Sequence, residues 1–283
     1  MKNKITQNAF FVLITLLTLI TLACLFAIVY FLAARGAGVI SWEFITQPPR
    51  DAMTAGGVAP AIVGTFYLTL GAVIFALPLG VACAVYLQEY SPSPAVNSIL
   101  RTAINNLAGV PSVVFGLFGL AVFVQFFHFG VSILSGSLTL AILILPGIIS
   151  ASQEALMAVP GSYREASLAL GATKWQTIKS VVLPSSLPGI LTGVILSIGR
   201  AAGETAPILF TAAVFYKRGF PSSPMSPVMA LPYHIYALMT EGVHPERQTA
   251  IAYGCALILL ALVIIMSAAA VIIRNKYRSG YGH

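Results

Sequence analysis

Charged side chains are scarce: Asp, Glu, Lys and Arg make up 8% of the 283 residues, against about 25% in a soluble protein. Acidic residues are the scarcer sign, 8 against 15 basic, so the net charge is +7. No soluble domain fits this composition, and the 58% of hydrophobic residues make the chain an integral membrane protein. Its positive balance then belongs on loops at the cytoplasmic face and not on a nucleic-acid surface. Cysteine is nearly absent. Cys24, Cys83 and Cys255 all lie in apolar stretches at spacings that suit no disulfide framework or metal site, and are read as packing residues. No Walker-type Gly-Lys-Ser/Thr signature is present, nor any nucleophile with a base near it in the sequence.

Long apolar runs are abundant. A spanning helix needs ~20 mostly apolar residues, and six segments qualify: 9–34, 59–87, 104–127, 137–157, 187–214 and 249–273. The first far exceeds a signal-peptide core of about 7–15 residues. It is expected to stay as a peripheral transmembrane helix beside core spans that run from about 59 to 273, the whole of 1–283 being one transmembrane domain. Lys2 and Lys4, then Arg101, Arg164, Lys174 and Lys179, then Arg274, Lys276 and Arg278 fall on one face of a six-span topology. By the positive-inside bias that face is cytoplasmic, with both termini inside. The other face receives Arg35, Arg50, Lys217, Arg218 and Arg247, partly offset by Glu43, Asp51, Glu241 and Glu246. The outer loop 215–248 is long enough for a short helix near Pro232–Met239. His128 and His234 fall near this outer surface and look incidental.

One cytoplasmic loop differs from the rest. Residues 159–184 read VPGSYREASLALGATKWQTIKSVVLP. Ser162 with Glu165, and Thr173 with Gln176, have the spacing of two capping boxes. Gly171 suits a left-handed helix C-cap, and Pro184 is expected to end the second segment. The pattern predicts two short helices joined at Gly171, with Tyr163, Ala166 and Leu170 on one apolar face and Trp175, Ile178 and Val182 on the other. Such an elbow either packs on its own bundle or projects into a groove of a partner.

Glu165-Ala166-Ser167, three residues, Gly171, nine residues, then Val181-Val182-Leu183-Pro184 resembles the EAA motif of ABC importer permeases. Ser167 and Val181 depart from it, each conservatively. The resemblance implies that Glu165, Ala166, Ser167, Gly171, Leu183 and Pro184 dock into an ATP-hydrolysing subunit and transmit its movement.

A second unusual stretch is GRAAGETAPILF, residues 199–210, which puts Arg200 and Glu204 inside an apolar span. A charge at mid-membrane costs about 2.5–3.5 kcal/mol on insertion scales. An i,i+4 ion pair returns only about 0.2–0.5 kcal/mol. The pair therefore faces protein or water, either as a structural lock or as part of a path. Gly199 and Gly203 form a Gly-x-x-x-Gly that lets another helix approach. Pro207 cannot donate to the carbonyl of Gly203, so a kink is expected there, and Thr205 adds a hydroxyl. In Leu107-Ala108-Gly109-Val110-Pro111-Ser112, glycine and proline interrupt another span. This is either a simple kink or a broken helix aiming N–H groups at an anion. Asn105 and Asn106 at its entry are expected to be interfacial or helix–helix contacts.

Residues 199–212, 106–120 and 76–90 together are similar to the permeases of the phosphate-specific ABC importer, most closely the PstA type, with Arg200 to Thr205 the most diagnostic stretch. The resemblance implies an all-α type I importer fold of six spans with cytoplasmic coupling helices, in the bacterial inner membrane. It implies a second permease of PstC type, a homodimeric PstB-type ATPase that uses ATP and Mg, and a periplasmic PstS-type phosphate-binding protein. The chain itself would bind no cofactor or metal and would not be an enzyme. The substrate path would use Arg200, Glu204, Thr205 and Ser112. Arginine suits bidentate phosphate contact. Glu204 either accepts the proton of hydrogen phosphate, which sulfate lacks, or only orients Arg200. The same residues leave other readings open: a permease for sulfate, molybdate or phosphonate, a passive anion channel, or an embedded enzyme using Glu204.

Overall fold

The computed structural model describes residues 2–91, 93–217, 219–242 and 245–280, with side chains left out at 2–6, 9, 52, 245, 246 and 278–280. Arg218 and the side chains of Lys2, Lys4, Glu246 and Arg278, which entered the charge asymmetry, lie outside the described residues. Among the described residues the regular structure is helical but for a two-stranded hairpin, β1 (Pro49–Arg50) with β2 (Ala55–Gly56), and one isolated bridge between Ala213 and Val228. Five helices among them are long and apolar enough to span a membrane, or six if one bent pair counts as a span.

The first span is α1 (Lys2–Gly36), whose most apolar window is entirely exposed. It touches the bundle near its end, where Gly36 lies on the backbone of Tyr253 and Gly254 and the Arg35 guanidinium sits 4.5 Å over the Phe31 ring. A short helix α2 (Trp42–Thr46), capped by the Ser41 hydroxyl, leads through the hairpin to α3 (Ala59–Val85). Its C-terminal turn widens into π-helical geometry over Tyr86–Tyr90.

Next come α4 (Pro94–Ala108) and α5 (Ser112–Gly119), the latter continued by π-helical turns to Phe126. The expected span 104–127 is not one helix: the two pieces meet at 96°. Pro111 pushes Val110 out of the helical region, and Pro111 itself is extended, with ψ 140. α4 buries none of its residues.

The next long helix, α6 (Ile133–Met157), is capped by Ser132 and is the best-buried span. It packs closely on α3 because Gly71 meets Ser137, Gly80 meets Ile148 and Gly136 meets Leu68. Small residues give membrane helices their close approach. The main core lies between these helices: Leu68, Ala72, Leu140, Leu143, Ile144 and Ile148, joined by Phe115, Ala201 and Ile208.

The elbow follows as α7 (Gly161–Ala169) and α8 (Lys174–Thr177), and α8 runs on through π-helical turns at Ile178–Val182 into α9 (Leu183–Gly203). Pro184 thus does not end the second arm. It lies just past the π-helical turns, inside a helix that runs on, and its missing N–H leaves a carbonyl of the preceding turn without that donor. The glycines that bring α9 onto α6 are Gly189 and Gly193, seated on Ala155 and Ala151. A Cβ added at Gly199 would come no nearer than 3.9 Å to Val263, and one at Gly203 would meet none of the described residues within 4 Å. The Gly-x-x-x-Gly that packs is therefore the earlier one.

After α10 (Ala206–Thr211), the expected outer helix is present as α11 (Leu231–Thr240), and α12 (Pro245–Gly280) closes the bundle. His234 of α11 is not a surface residue. It is 2% exposed, neither ring nitrogen has a hydrogen-bond partner among the described residues, and burial pushes its imidazole down to about 4.

Candidate functional site

The elbow is built from caps. Gly171 has φ +85, the left-handed region that favours glycine. Its N–H donates to Leu168 O at 2.9 Å, and Ala172 N–H donates to Ser167 O at 3.3 Å. These two bonds make a complete Schellman turn at the end of α7. The Thr173 capping box forms in both directions, Gln176 N–H to Thr173 Oγ1 at 3.3 Å and Thr173 N–H to Gln176 Oε1 at 2.7 Å. The Ser162 box does not form. Pro160 holds the N-cap position and α7 already starts at Gly161, so Ser162 lies inside the helix and Glu165 is left exposed.

The two arms are clipped together by a hydrogen bond between Ser167 and Thr177, Oγ to Oγ1 at 2.9 Å. The second arm is rooted in a core of Ala84, Val85, Leu156, Val159, Ile178 and Val182, with Leu183 against it. Of the two expected apolar faces, Ile178 and Val182 are buried. Trp175, Tyr163, Ala166 and Leu170 are exposed, Leu170 by 89%.

One anchor has no local signal in the sequence. Arg164 donates through Nε and Nη2 to Glu89 Oε1 at 3.1 and 2.9 Å, and through Nη1 and Nη2 to the carbonyls of Val159 and Leu156 at 2.8 and 2.9 Å. This fixes α7 to the ends of both α3 and α6. Lys174 adds a contact, its Nζ 4.9 Å over the Tyr90 ring.

The charged stretch lies at a helix break. α9 stops at Gly203, Glu204 is extended with ψ 132, and α10 restarts at Ala206 with Pro207 in its first turn. The expected kink is a full interruption, because Pro207 cannot continue the bonding ladder from Gly203. Arg200 is in the last turn of α9, where a cation offsets the helix C-terminus by about 0.3–1 kcal/mol. Its Nε is 3.7 Å from Glu204 Oε1, with side chains 45% and 19% exposed. Thr205 and Ser112 are half-buried. A cavity of about 10 Å³ beside Glu204 is lined by Thr65, Thr69 and Ala201.

The two broken helices meet. A side chain at Gly116 of α5 would run into Ala206 O and Pro207, and one at Gly119 into Thr139 and Thr211, so the helices approach closely there. Phe115 and Ala201 share the main core with Leu107 and Val110 from the first break. Packing thus brings Ser112, the first residue of α5, and Arg200–Thr205 into one region of the bundle.

Residues 76–279 match the family model described as the binding-protein-dependent transport system inner membrane component. The chain belongs to this family. It is the multi-pass inner-membrane permease of an ABC transporter, and it is not itself the catalytic ATPase. Permeases of this family work with separate ATPase subunits and binding proteins. The probable ABC transporter permease protein YqgI of Bacillus subtilis (strain 168) is 33% identical to it over 281 residues, covering 95% of each chain. The phosphate transport system permease protein PstA of Mycobacterium leprae (strain TN) is 38% identical over 268 residues, 93% of this permease and 85% of that protein. Among solved structures, the inward-facing MetNI methionine ABC transporter superposes with a TM-score of 0.60 at 18% identity, covering 78% of this permease and 94% of that chain. A bacterial ABC transporter that imports alginate gives 0.54 at 15% identity, covering 91% and 95%. The fold is that of type I ABC importer permeases.

Proposed function

We propose that this permease, paired with a second permease of PstC type, forms the translocation path of an ATP-driven inorganic phosphate importer. The observation that carries the reading is the α9 break: an arginine whose guanidinium makes no hydrogen bond among the described residues stands in a region where two interrupted spans meet. Relatives named as phosphate transport permeases support the choice of substrate. The elbow end faces the cytoplasm with both termini. A homodimeric PstB-type ATPase, using ATP and Mg, receives the exposed Tyr163, Leu168, Leu170 and Trp175, with Glu165 beside them. Gly171 and the Ser167–Thr177 clip keep the elbow rigid. Leu183 and Pro184 connect it to α9, so a push on the elbow reaches the break at Arg200 through one continuous helix from Lys174 to Gly203.

Substrate enters from a periplasmic PstS-type binding protein. Arg200 offers the planar fork suited to phosphate, and Thr205 and Ser112 add hydroxyls. Glu204 accepts the proton that hydrogen phosphate carries and sulfate lacks. The permease co-purified with its ATPase and second permease, reconstituted with the binding protein, is expected to accumulate phosphate only with ATP. Sulfate, molybdate or phosphonate uptake at equal or greater rate would refute phosphate as the substrate. Uptake without ATP would refute the importer reading in favour of a channel.

A further inference from the structure

At the elbow end, α4 crosses the last turns of α6 and leaves a cleft of about 210 Å³ between them. Arg101 and Asn105 line it from α4. Ser150, Gln153 and Glu154 line it from α6. The cleft is more than a gap between helices, because its polar groups are not satisfied by each other. Gln153 is 8% exposed, yet its Nε2 has no hydrogen-bond partner among the described residues. Buried amide N–H groups rarely stay unpaired without a reason. The Gln153 side chain is part of the cleft's lining. Arg101 is positioned by its Nε, which donates to Asn97 Oδ1 at 3.0 Å. Its two terminal NH2 groups make no bond among the described residues. Glu154 lines the same cleft and forms no ion pair with Arg101.

We infer that this cleft is a second binding site for hydrogen phosphate, on the elbow side of the bundle and separate from the break at Arg200. The inference rests on phosphate being the substrate. The donor set of Arg101, Asn105, Ser150 and Gln153 takes the anionic oxygens. Glu154 takes the remaining P–OH, and so repeats on different helices the combination of arginine and glutamate found at Arg200 and Glu204. A phosphodiester lipid headgroup presents similar anionic oxygens but has no P–OH for Glu154 and meets a repelling carboxylate instead. Free hydrogen phosphate is therefore the better fit. In an importer with the elbow end facing the cytoplasm, the cleft holds substrate on its way out of the path.

The test uses the complete importer in phosphatidylcholine nanodiscs, without binding protein, and equilibrium binding of radiolabelled inorganic phosphate. Arg101→Gln is expected to weaken binding at the cleft by ~10-fold or more, and Gln153→Leu by ~5-fold. Glu154→Gln is expected to bring sulfate to within ~3-fold of phosphate as a competitor. Binding that survives Arg200→Gln but is lost in Arg101→Gln supports the site. Binding unaffected by Arg101→Gln overturns it, as does absence of any binding to the unmodified importer. Displacement of the label by adding phosphatidylglycerol to the nanodisc would make the cleft a lipid site and overturn it as well. Parallel uptake assays with ATP and binding protein separate the two readings. Phosphate uptake that persists while Arg101→Gln leaves binding unchanged sinks only this site, whereas absence of phosphate uptake sinks the substrate itself.

Discussion

Arg164 makes four hydrogen bonds to its own chain, two to Glu89 and one each to the carbonyls of Val159 and Leu156. Arg200 makes none among the described residues and stands 3.7 Å from Glu204. Both are arginine–glutamate pairs in a membrane protein, but their surroundings differ. The Arg164 pair ties together three helices and is mostly covered, with side chains 22% and 11% exposed. The Arg200 pair is a neighbour contact across the end of one helix, and Arg200 is half exposed in the single chain. A side chain with four of its five N–H donors taken by carbonyls and a carboxylate has little left for a ligand. One that faces outward from a helix break keeps its fork available. Under the proposed function the first arginine serves architecture and the second substrate, and each role can be broken separately.

The largest effect on transport is expected at Arg200. Arg200→Lys keeps the charge and loses the planar fork, and Arg200→Gln loses both. Phosphate uptake should fall by more than about tenfold in either, a change of about 1.4 kcal/mol in transition-state stabilisation. Thermal unfolding and ATPase assembly should stay as they were, because the pair is loose and solvent-reachable. The stronger form of the test replaces Arg200 by Met and Glu204 by Leu together. A purely structural ion pair tolerates replacement by apolar residues of similar volume. Substantial ATP-driven uptake by the double variant would show that Arg200 and Glu204 differ from Arg164 and Glu89 in exposure only and not in purpose.

The converse is expected at Arg164. Arg164→Ala leaves the Glu89 carboxylate and two helix-end carbonyls short of partners. Loss of charged hydrogen bonds at a partly covered site should destabilise the permease by about 2–3 kcal/mol. The ATPase should dissociate more readily, while phosphate binding by any protein that does assemble is unchanged. Thermal unfolding and co-purification of the ATPase read the two quantities. Loss of uptake with unchanged unfolding would instead give Arg164 a direct part in transport and remove the contrast with Arg200.

The residues show why one pair was legible in the sequence and the other was not. Arg200 and Glu204 announce themselves by sitting four apart in an apolar run. Arg164 and Glu89 are 75 residues apart, in loops where charge is ordinary, and only folding joins them. The same holds for the cleft of Arg101, Gln153 and Glu154. Local chemistry was readable where it was truly local: Gly171 at positive φ, the Thr173–Gln176 box, the outer helix at Leu231–Thr240. It misled at Ser162, where the capping spacing is present but Pro160 starts the helix earlier. Within the chain, the pair that packs is Gly189 and Gly193 and not Gly199 and Gly203, because spacing alone does not say which of two Gly-x-x-x-Gly pairs faces a helix of its own bundle. Hydropathy also saw 104–127 as a single span, because apolar composition carries no record of the 96° turn that Gly109 and Pro111 impose.

The smallest effect on the stability of the bundle is expected within the elbow turn itself, and it tests whether that pinned region needs its exact shape or only its anchor. A Cβ at Gly171 would meet no atom within 4 Å, so no clash opposes substitution. Only the φ of +85 does. Asparagine tolerates this left-handed conformation and a β-branched residue does not. Gly171→Asn should therefore behave nearly as the unmodified permease, whereas Gly171→Val should cost about 1–3 kcal/mol locally. Because the turn is exposed and Arg164 still holds α7, that cost should not unfold the bundle. It should instead open the Schellman bonds of Gly171 and Ala172 and the Ser167–Thr177 clip, letting the exposed Leu170 and Trp175 shift relative to each other. The expected readout is normal thermal unfolding for both variants, with ATP-driven uptake and binding-protein-stimulated ATPase activity lost in Val and kept in Asn. Equal activity in both would mean that the anchor at Arg164 transmits movement without help from the turn. Equal loss in both would mean that this surface accepts no side chain at Gly171 at all, as expected of a position packed directly against the ATPase.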